Sequence, residues 1–343
     1  MKLKWGIIGC GGIADRRTLP GMMLASNAEP YAVMDANPEA AARCQEKYGA
    51  KYAFTDYRDV LALDEVDVVY IASPVFCHKE QALAAARAGK HILLEKPIGL
   101  SLEESREIVA ACEAAGVKLG IGFMMRYHAY HQAMREVIAQ GKIGKIVSMR
   151  AQFTCWYPDM PNCWRQDKTK SGGGALIDMG IHCIDLLQYI SGLEAVECTG
   201  YAQTQTFGYS SDDSSAIVMK MNNGALAMVD SNFNIPDAAA KCPLEFYGTK
   251  GSMIAVGTLS QDEGGSVEVL VANDDAAYDA QQNRSLVKPI NLEVEFGNMY
   301  TKEIEAFSNA VIQNTEPPVN GKNTMRVHEI ISAIYQSGGA KLG

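Results

Sequence analysis

Leu3-Lys4-Trp5-Gly6-Ile7-Ile8-Gly9-Cys10-Gly11-Gly12-Ile13-Ala14 is the stretch that decides the fold. An apolar run closes on Gly9, a glycine-rich turn follows, and the pattern predicts a helix from Ile13 into Leu24. The next apolar segment, Pro30-Tyr31-Ala32-Val33-Met34, ends at Asp35. Strand, glycine turn, helix, strand is what a dinucleotide-binding βαβ unit requires. Gly9 allows the tight turn, and Gly11 lets the backbone approach a pyrophosphate with no Cβ in the way. Ala14 stands where a third glycine is usual and still permits close helix–strand packing. Gly12 and Ile13 open the helix, whose free N–H groups and positive dipole end face the phosphates. A lone glycine motif is weak; its place straight after an apolar strand gives it force. At the end of the second strand Asp35 would accept hydrogen bonds from the ribose 2′ and 3′ hydroxyls and repel a 2′-phosphate, which points to NAD rather than NADP. The alternative is that Asp35 merely caps the helix beginning at Pro38, for which Asn37 is the better candidate.

The alternation continues downstream. A strand over 67–72 runs into Ser73-Pro74, a helix covers about 78–88 and ends at Gly89, and His91-Ile92-Leu93-Leu94 leads to Glu95-Lys96-Pro97. Ser101 with Glu104 forms a capping box for the next helix, and residues 117–122 close the sheet. Ser73-Pro74 and Glu95-Lys96-Pro97 both fall at carboxyl ends of parallel strands, where open α/β sheets place their ligands.

The pattern changes near residue 123. Segments 145–153 and 215–221 read as strands, and Asn222-Asn223-Gly224 reads as a hairpin turn into 225–230. Leu244-Glu245-Phe246-Tyr247 and 252–256 form a second hairpin, and consecutive strands without helices imply an antiparallel sheet. Residues 257–300 resist reading and include an acidic, Gln/Asn-rich loop near 273–284; helices are expected over 299–313 and 323–337. The expected domains are 1–122, a dinucleotide-binding unit, and 123–343, a substrate-binding and oligomerisation unit.

Composition narrows the function. At 343 residues the chain is long for one core. A formal net charge of −9 leaves no electrostatic footprint for nucleic acid. The apolar run at the N-terminus is short and lacks a cleavage-site pattern, and no stretch approaches the ~20 apolar residues of a membrane span. Nine cysteines form no C-x-x-C pair, which fits buried thiols in a reducing cytoplasm.

Further along lies Gly172-Gly173-Gly174-Ala175-Leu176-Ile177-Asp178-Met179-Gly180-Ile181-His182. Asp178, His182 and Asp185 are spaced to share one helix face, and the glycines should let the backbone come close to a ligand. Read alone, this pattern is better taken as a structural histidine with a surface aspartate at helical spacing. In company with Lys96 it reads as a proton-handling pair beside a fixed positive charge. His182 brings an imidazole suited to take a hydroxyl proton, and Asp178 would orient it or share hydrogen bonds to the substrate. Lys96 would stabilise alkoxide character on the reacting oxygen. Arg126, Tyr127, Tyr157, Trp164 and Arg165 are aromatic and guanidinium groups of the kind that hold a sugar ring. His128 and His131 have no third partner in the sequence, so no metal is expected.

In the loop Gly9–Ala14, Ser73-Pro74 with His78, Ala88-Gly89-Lys90-His91, Glu95-Lys96-Pro97 and Gly172–His182, taken in order, the chain resembles the glucose–fructose oxidoreductase, inositol dehydrogenase and rhizopine-catabolism (Gfo/Idh/MocA) oxidoreductases. The resemblance covers at least residues 3–190. It implies a Rossmann domain with a doubly wound parallel sheet, followed by an α/β domain on a large, open, mostly antiparallel sheet. It implies a catalytic group of Lys96, Asp178 and His182, and a cofactor site of Gly9, Gly11, Gly12, Ile13, Ala14, Asp35, Ser73, Pro74, His78, Glu95, Lys96 and Arg165. Substrate contacts then fall to Lys96, Arg126, Tyr127, Tyr157, Trp164, Asp178 and His182. The implied activity is an NAD-dependent dehydrogenase of a ring alcohol in a sugar, cyclitol or glycoside, working as a cytoplasmic homodimer or homotetramer. Two alternatives stand beside it: an aldose or keto-sugar reductase running in reverse, and a non-catalytic NAD-binding sensor.

Overall fold

Strands β1 (Leu3–Ile8), β2 (Ala28–Met34), β3 (Tyr52–Phe54), β4 (Val68–Ile71), β5 (His91–Glu95) and β6 (Leu119–Gly122) form one all-parallel sheet in the order β3-β2-β1-β4-β5-β6. These belong to a computed structural model that describes residues 2–272, 280–282 and 287–342. Most of the loop expected near 273–284 lies outside the described residues. The sheet's strands read as near-continuous apolar runs because helices cover both faces; all four residues of β4 are buried. The reversal of strand order between β1 and β4 is the switch point at which such sheets bind ligands. Register fixes the level of that edge: Ile8 pairs with Met34 and with Ile71, and Glu95 with Gly122. Gly9, Asp35, Ser73 and Lys96 therefore leave the sheet at one end.

The chain divides into two compact units, Met1–Met124 with Pro161–Gly173 and Gly297–His328, and Met125–Met160 with Gly174–Phe296 and Glu329–Gly343. The first unit is thus completed from far along the sequence. Helix Met299–Gln313 buries Ile304 and Phe307 in the same core as Trp5, Tyr70 and Leu93. The Phe307 ring meets Trp5 edge-on at 5.7 Å. Gly120 makes room for it, since a Cβ there would lie 2.5 Å from the ring.

The second unit carries a nine-stranded sheet of β7 (Ile146–Thr154), β8 (Ala195–Gln203), β9 (Ser214–Met221), β10 (Leu226–Asn232), β11 (Leu244–Gly248), β12 (Gly251–Val256), β13 (Ser266–Ala272), β14 (Val287–Ile290) and β15 (Gly339–Lys341). Its order is β14-β13-β12-β11-β7-β10-β9-β8-β15. Every junction is antiparallel except β7 with β10, which is parallel. The exception follows from the sequence between them: helices and two strands intervene, so β7 and β10 are not a hairpin pair. Helices Ala129–Ala139 and Ile181–Ser191 belong to this unit. Ile217, Met219, Ala227 and Val229 are buried, while Val218, Leu226 and Tyr201 on the other face are exposed. Ala225 is also buried, so the expected apolar alternation of this hairpin covers one face. Sequence reading located β7, β9, β10, β11 and β12 and both C-terminal helices, and missed β8, β13, β14 and β15.

Candidate active site residues in the two units

The phosphate loop is shaped by sterics. Gly9 has φ +97°, and a Cβ on it would lie 2.8 Å from the backbone of Ala72 and Ser73. Gly11 and Gly12 show nothing within 4 Å of a built Cβ, and Gly12 has φ +43°. Open space thus faces the loop where the helix starts, with Ala14 fully buried behind it. This fits a pyrophosphate held by amides at a helix N-terminus. The helix that follows is wound as a π-turn over Ala14–Thr18 before continuing over Leu19–Leu24.

Asp35 Oδ2 accepts the Cys10 N–H at 2.9 Å, and Oδ1 accepts the Asn37 N–H at 2.9 Å. The cap of helix Pro38–Tyr48 is Asn37, whose side chain accepts from Glu39 N–H. Asp35 is therefore tied to the loop and is not the cap. A carboxylate has about four lone-pair sites, so two bonds leave acceptor capacity for ribose hydroxyls.

Ser73 Oγ donates to Gln81 Oε1 at 2.5 Å, and Pro74 precedes the first turn of helix Val75–Arg87. His78 is buried, its ring nitrogens 3.0 Å from the carbonyls of Pro97 and Ser73. It ties the loop after β4 to the loop after β5. Burial pushes its pKa down to about 4, against the pull of those carbonyls. Glu95 accepts the Tyr70 hydroxyl at 2.5 Å, and Tyr70 in turn meets Thr18 Oγ1 at 2.9 Å. Burial raises the Glu95 carboxyl, opposed by Tyr70, Lys96 and Arg165. Lys96 follows directly, joined to Pro97 by a cis peptide bond. Ser101 caps helix Leu102–Ala115 as expected, but the returning Glu104 carboxylate takes the Leu100 N–H, not that of Ser101. Trp164 and Arg165 lie on a short 3-10 turn of this same unit, Trp164 edge-on to Phe76 and Arg165 stacked 4.3 Å above Trp164.

The second unit holds Asp178 and His182. Residues Leu176–Gly180 form a π-turn that runs into helix Ile181–Ser191. Asp178 lies within this π-turn, and His182 and Asp185 lie in the α-helix that follows it. His182 is buried, with the Phe153 ring edge-on at 6.1 Å. Asp178 is partly exposed. Asp185 belongs to a buried ion pair: its Oδ2 accepts Arg126 Nε–H at 2.9 Å and its Oδ1 accepts from Arg126 Nη2. Arg126 is thereby held against Asp185 and the Tyr189 ring. Tyr127 completes the 3-10 turn Met124–Tyr127, and Tyr157 packs at 5.0 Å on Phe233. His128 caps helix Ala129–Ala139, and His131 lies against the Met125 carbonyl.

Gly172–Gly174, before the helix that carries His182, were expected to let the backbone approach a ligand. At Gly172 and Gly174 the close neighbours are protein backbone. A Cβ on Gly172 would lie 2.8 Å from Leu100 O, and one on Gly174 only 1.8 Å from Asp212 O. Asp212 is the residue that sequence reading missed. Its Oδ1 and Oδ2 accept the N–H groups of Gly174 and Leu176, and Tyr335 donates its hydroxyl to Oδ1 at 2.7 Å. Burial raises its carboxyl, opposed by these donors. The only signal was an acidic pair, Asp212-Asp213, within a polar run just before a strand. Among the described residues no group of three His, Cys, Asp or Glu could hold a metal, and no helix is long and apolar enough to cross a membrane.

Two family models match the chain: an oxidoreductase family with an NAD-binding Rossmann fold over residues 3–123, and the GFO/IDH/MocA C-terminal domain over residues 131–254. Together they take in well over half of the sequence. The 1,5-anhydro-D-fructose reductase of Ensifer adhaerens is 29% identical, covering 93% of this chain and 91% of the relative. A D-xylose 1-dehydrogenase (NADP(+)) of Haloferax volcanii is 28% identical over 98% and 97%. The structure of a levoglucosan dehydrogenase in complex with NADH and levoglucosan superposes with a TM-score of 0.86 over the whole of both chains at 24% identity.

Proposed function

Because the chain belongs to the GFO/IDH/MocA oxidoreductases and is a nicotinamide-dependent dehydrogenase or reductase, we propose that its substrate is a ring carbinol of a sugar, cyclitol or glycoside and that its cofactor is NAD. The observation that carries the reading is the loop Gly9–Ala14, closed to a side chain at Gly9 and open in front of Gly11 and Gly12. Relatives named for dehydrogenation and for reduction leave both directions within the proposal.

A nicotinamide cofactor held by this loop would supply the hydride acceptor in oxidation and the hydride donor in reduction. Gly9, Gly11, Gly12, Ile13 and Ala14 supply the phosphate cradle, and Asp35 the ribose acceptors. Ser73, Pro74, His78, Glu95 and Arg165 shape the remaining cofactor contacts, His78 by fastening two strand-end loops together. Lys96 donates to the reacting oxygen and offsets the negative charge that grows there. His182 accepts the hydroxyl proton in oxidation and gives it back in reduction. Asp178 orients the imidazole or shares hydrogen bonds to the substrate oxygens. Tyr127, Tyr157 and Trp164 offer ring faces to the sugar. Arg126 can join them only from within its pair with Asp185. In this reading residues 1–122, joined by Arg165, serve the cofactor, and the rest of 123–343 serves substrate and assembly.

The test is a dehydrogenase assay with NAD over inositols, aldoses and glycosides, followed by single substitutions. Lys96→Ala and His182→Ala should each lower turnover by roughly 10²–10⁴, with NAD affinity within a few-fold. Near wild-type turnover in both would place the chemistry on other residues. NAD binding with no turnover on any compound would favour the sensor.

A further inference from the structure

We propose that Asp212 is the positioning residue of the proton-handling helix, holding Asp178 and His182 in working geometry through a clamp completed by Tyr335. The inference rests on the reading of Asp178 and His182 given above. Three consecutive amides at the start of that helix turn to one residue. Gly174 N–H donates to Asp212 Oδ1 at 2.6 Å, Ala175 N–H to its main-chain oxygen at 2.8 Å, and Leu176 N–H to Oδ2 at 2.9 Å. These are donors that a helix leaves without internal partners. Here they are met by one residue far away in sequence, two by its carboxylate and one by its main-chain oxygen.

The clamp is closed on a second side by Tyr335, from helix Gly321–Ser337. Its hydroxyl donates to Asp212 Oδ1 at 2.7 Å and accepts from Gly174 N–H at 3.3 Å. Gly174 and Asp212 are sterically matched, because any side chain at 174 would collide with the Asp212 backbone. The link to the chemistry is short. Asp178 N–H donates to Gly174 O at 3.0 Å, so Asp178 hangs from the clamped residue, and His182 follows one turn on. Below His182 the helix is pinned again by Asp185 and Arg126. The π-turn between these fixed points has its position set from both ends.

Asp213 extends the arrangement outward. Its carboxylate accepts the amides of Gln205, Thr206 and Phe207, and its carbonyl accepts the Phe233 N–H. The strand entry that presents Asp212 is thereby itself immobilised. A ligand-oriented carboxylate would point its oxygens outward; both of these point at the helix.

The experiment uses the full-length protein with Asp212→Asn, which keeps one acceptor but sets an NH₂ against an amide, and Tyr335→Phe, which removes one hydroxyl. The readouts are the NMR titration of the His182 ring, assigned among six histidines with His182→Ala, the NAD dissociation constant, and turnover on whichever panel compound wild type oxidises fastest. Asp212→Asn should move the His182 titration, leave NAD affinity within threefold, and lower turnover by about 10²-fold, the scale of a small misplacement of catalytic groups. Tyr335→Phe should move both readouts in the same direction by less, and it decides the question if Asp212→Asn does not fold. An unchanged His182 titration in a folded variant overturns the proposal whatever turnover does. Failure of the underlying reading has a different mark, wild-type turnover in His182→Ala.

Discussion

Removing either half of the Arg126–Asp185 pair should destabilise the protein far more than removing both. The guanidinium and carboxylate keep only 9% and 2% of their side-chain exposure, and two N–H groups reach the two carboxylate oxygens. Arg126→Met leaves Asp185 as a buried, uncompensated anion, and Asp185→Leu leaves a buried cation. Each should cost about 3–5 kcal/mol. The double variant replaces the pair by apolar groups of similar length and should fall within about 1–2 kcal/mol of wild type. The coupling is then about 4 kcal/mol or more. Urea unfolding of the four proteins at pH 7.5 measures it as a double-mutant cycle. If the two single losses add to the double loss within about 0.5 kcal/mol, the pair carries no coupling and the reasoning from burial fails. The same double variant settles the role of Arg126. A guanidinium that serves only Asp185 can be lost with its partner at little cost in KM. A stable double variant whose KM rises tenfold or more would return Arg126 to the substrate.

Three further outcomes are expected. Wild type should prefer NAD to NADP, and Asp35→Ser with Ala36→Arg should shift that preference; a wild type that binds NADP at least as tightly refutes the Asp35 argument. Burial holds His78 and His328 down to about 4 and His131 to about 3, so their stability is intact above the unfolded value of about 6.5 and is lost as pH falls toward those values, by about 2 kcal/mol each at pH 5. His328→Leu should therefore lose less stability than wild type between pH 7.5 and 5 in urea titrations, and equal slopes would show that His328 is not held neutral. The open sheet face bearing Tyr201, Val218 and Leu226 should be covered by a second copy; sedimentation finding only monomer at micromolar concentration speaks against a dimer or tetramer.

Local rules carry the first unit. Apolar strands buried on both faces, glycines where the turn excludes a Cβ, and Asn37 and Ser101 at helix starts are all written in short stretches, so fold and phosphate loop were legible before any coordinates. The second unit was half legible. Its hairpins announce themselves at Asn222-Asn223-Gly224 and at Gly248-Thr249-Lys250-Gly251, whereas β8 shows mixed burial with little periodicity and β14 buries none of its residues. The parallel junction of β7 and β10 depends on which strand returns to which, a matter of long-range packing. Lys96, Asp178 and His182 stand out as residue types at a spacing. What surrounds them does not: Asp185 turned to Arg126, Gly172 and Gly174 pressed on backbone, and Asp212 with Tyr335 closing on a helix start. Sequence determines which groups are present and what local shape each stretch prefers. Only the tertiary structure decides which donor meets which acceptor, because a hydrogen bond or ion pair between residues far apart in the chain leaves no periodic trace and depends on geometry that the whole fold must first create.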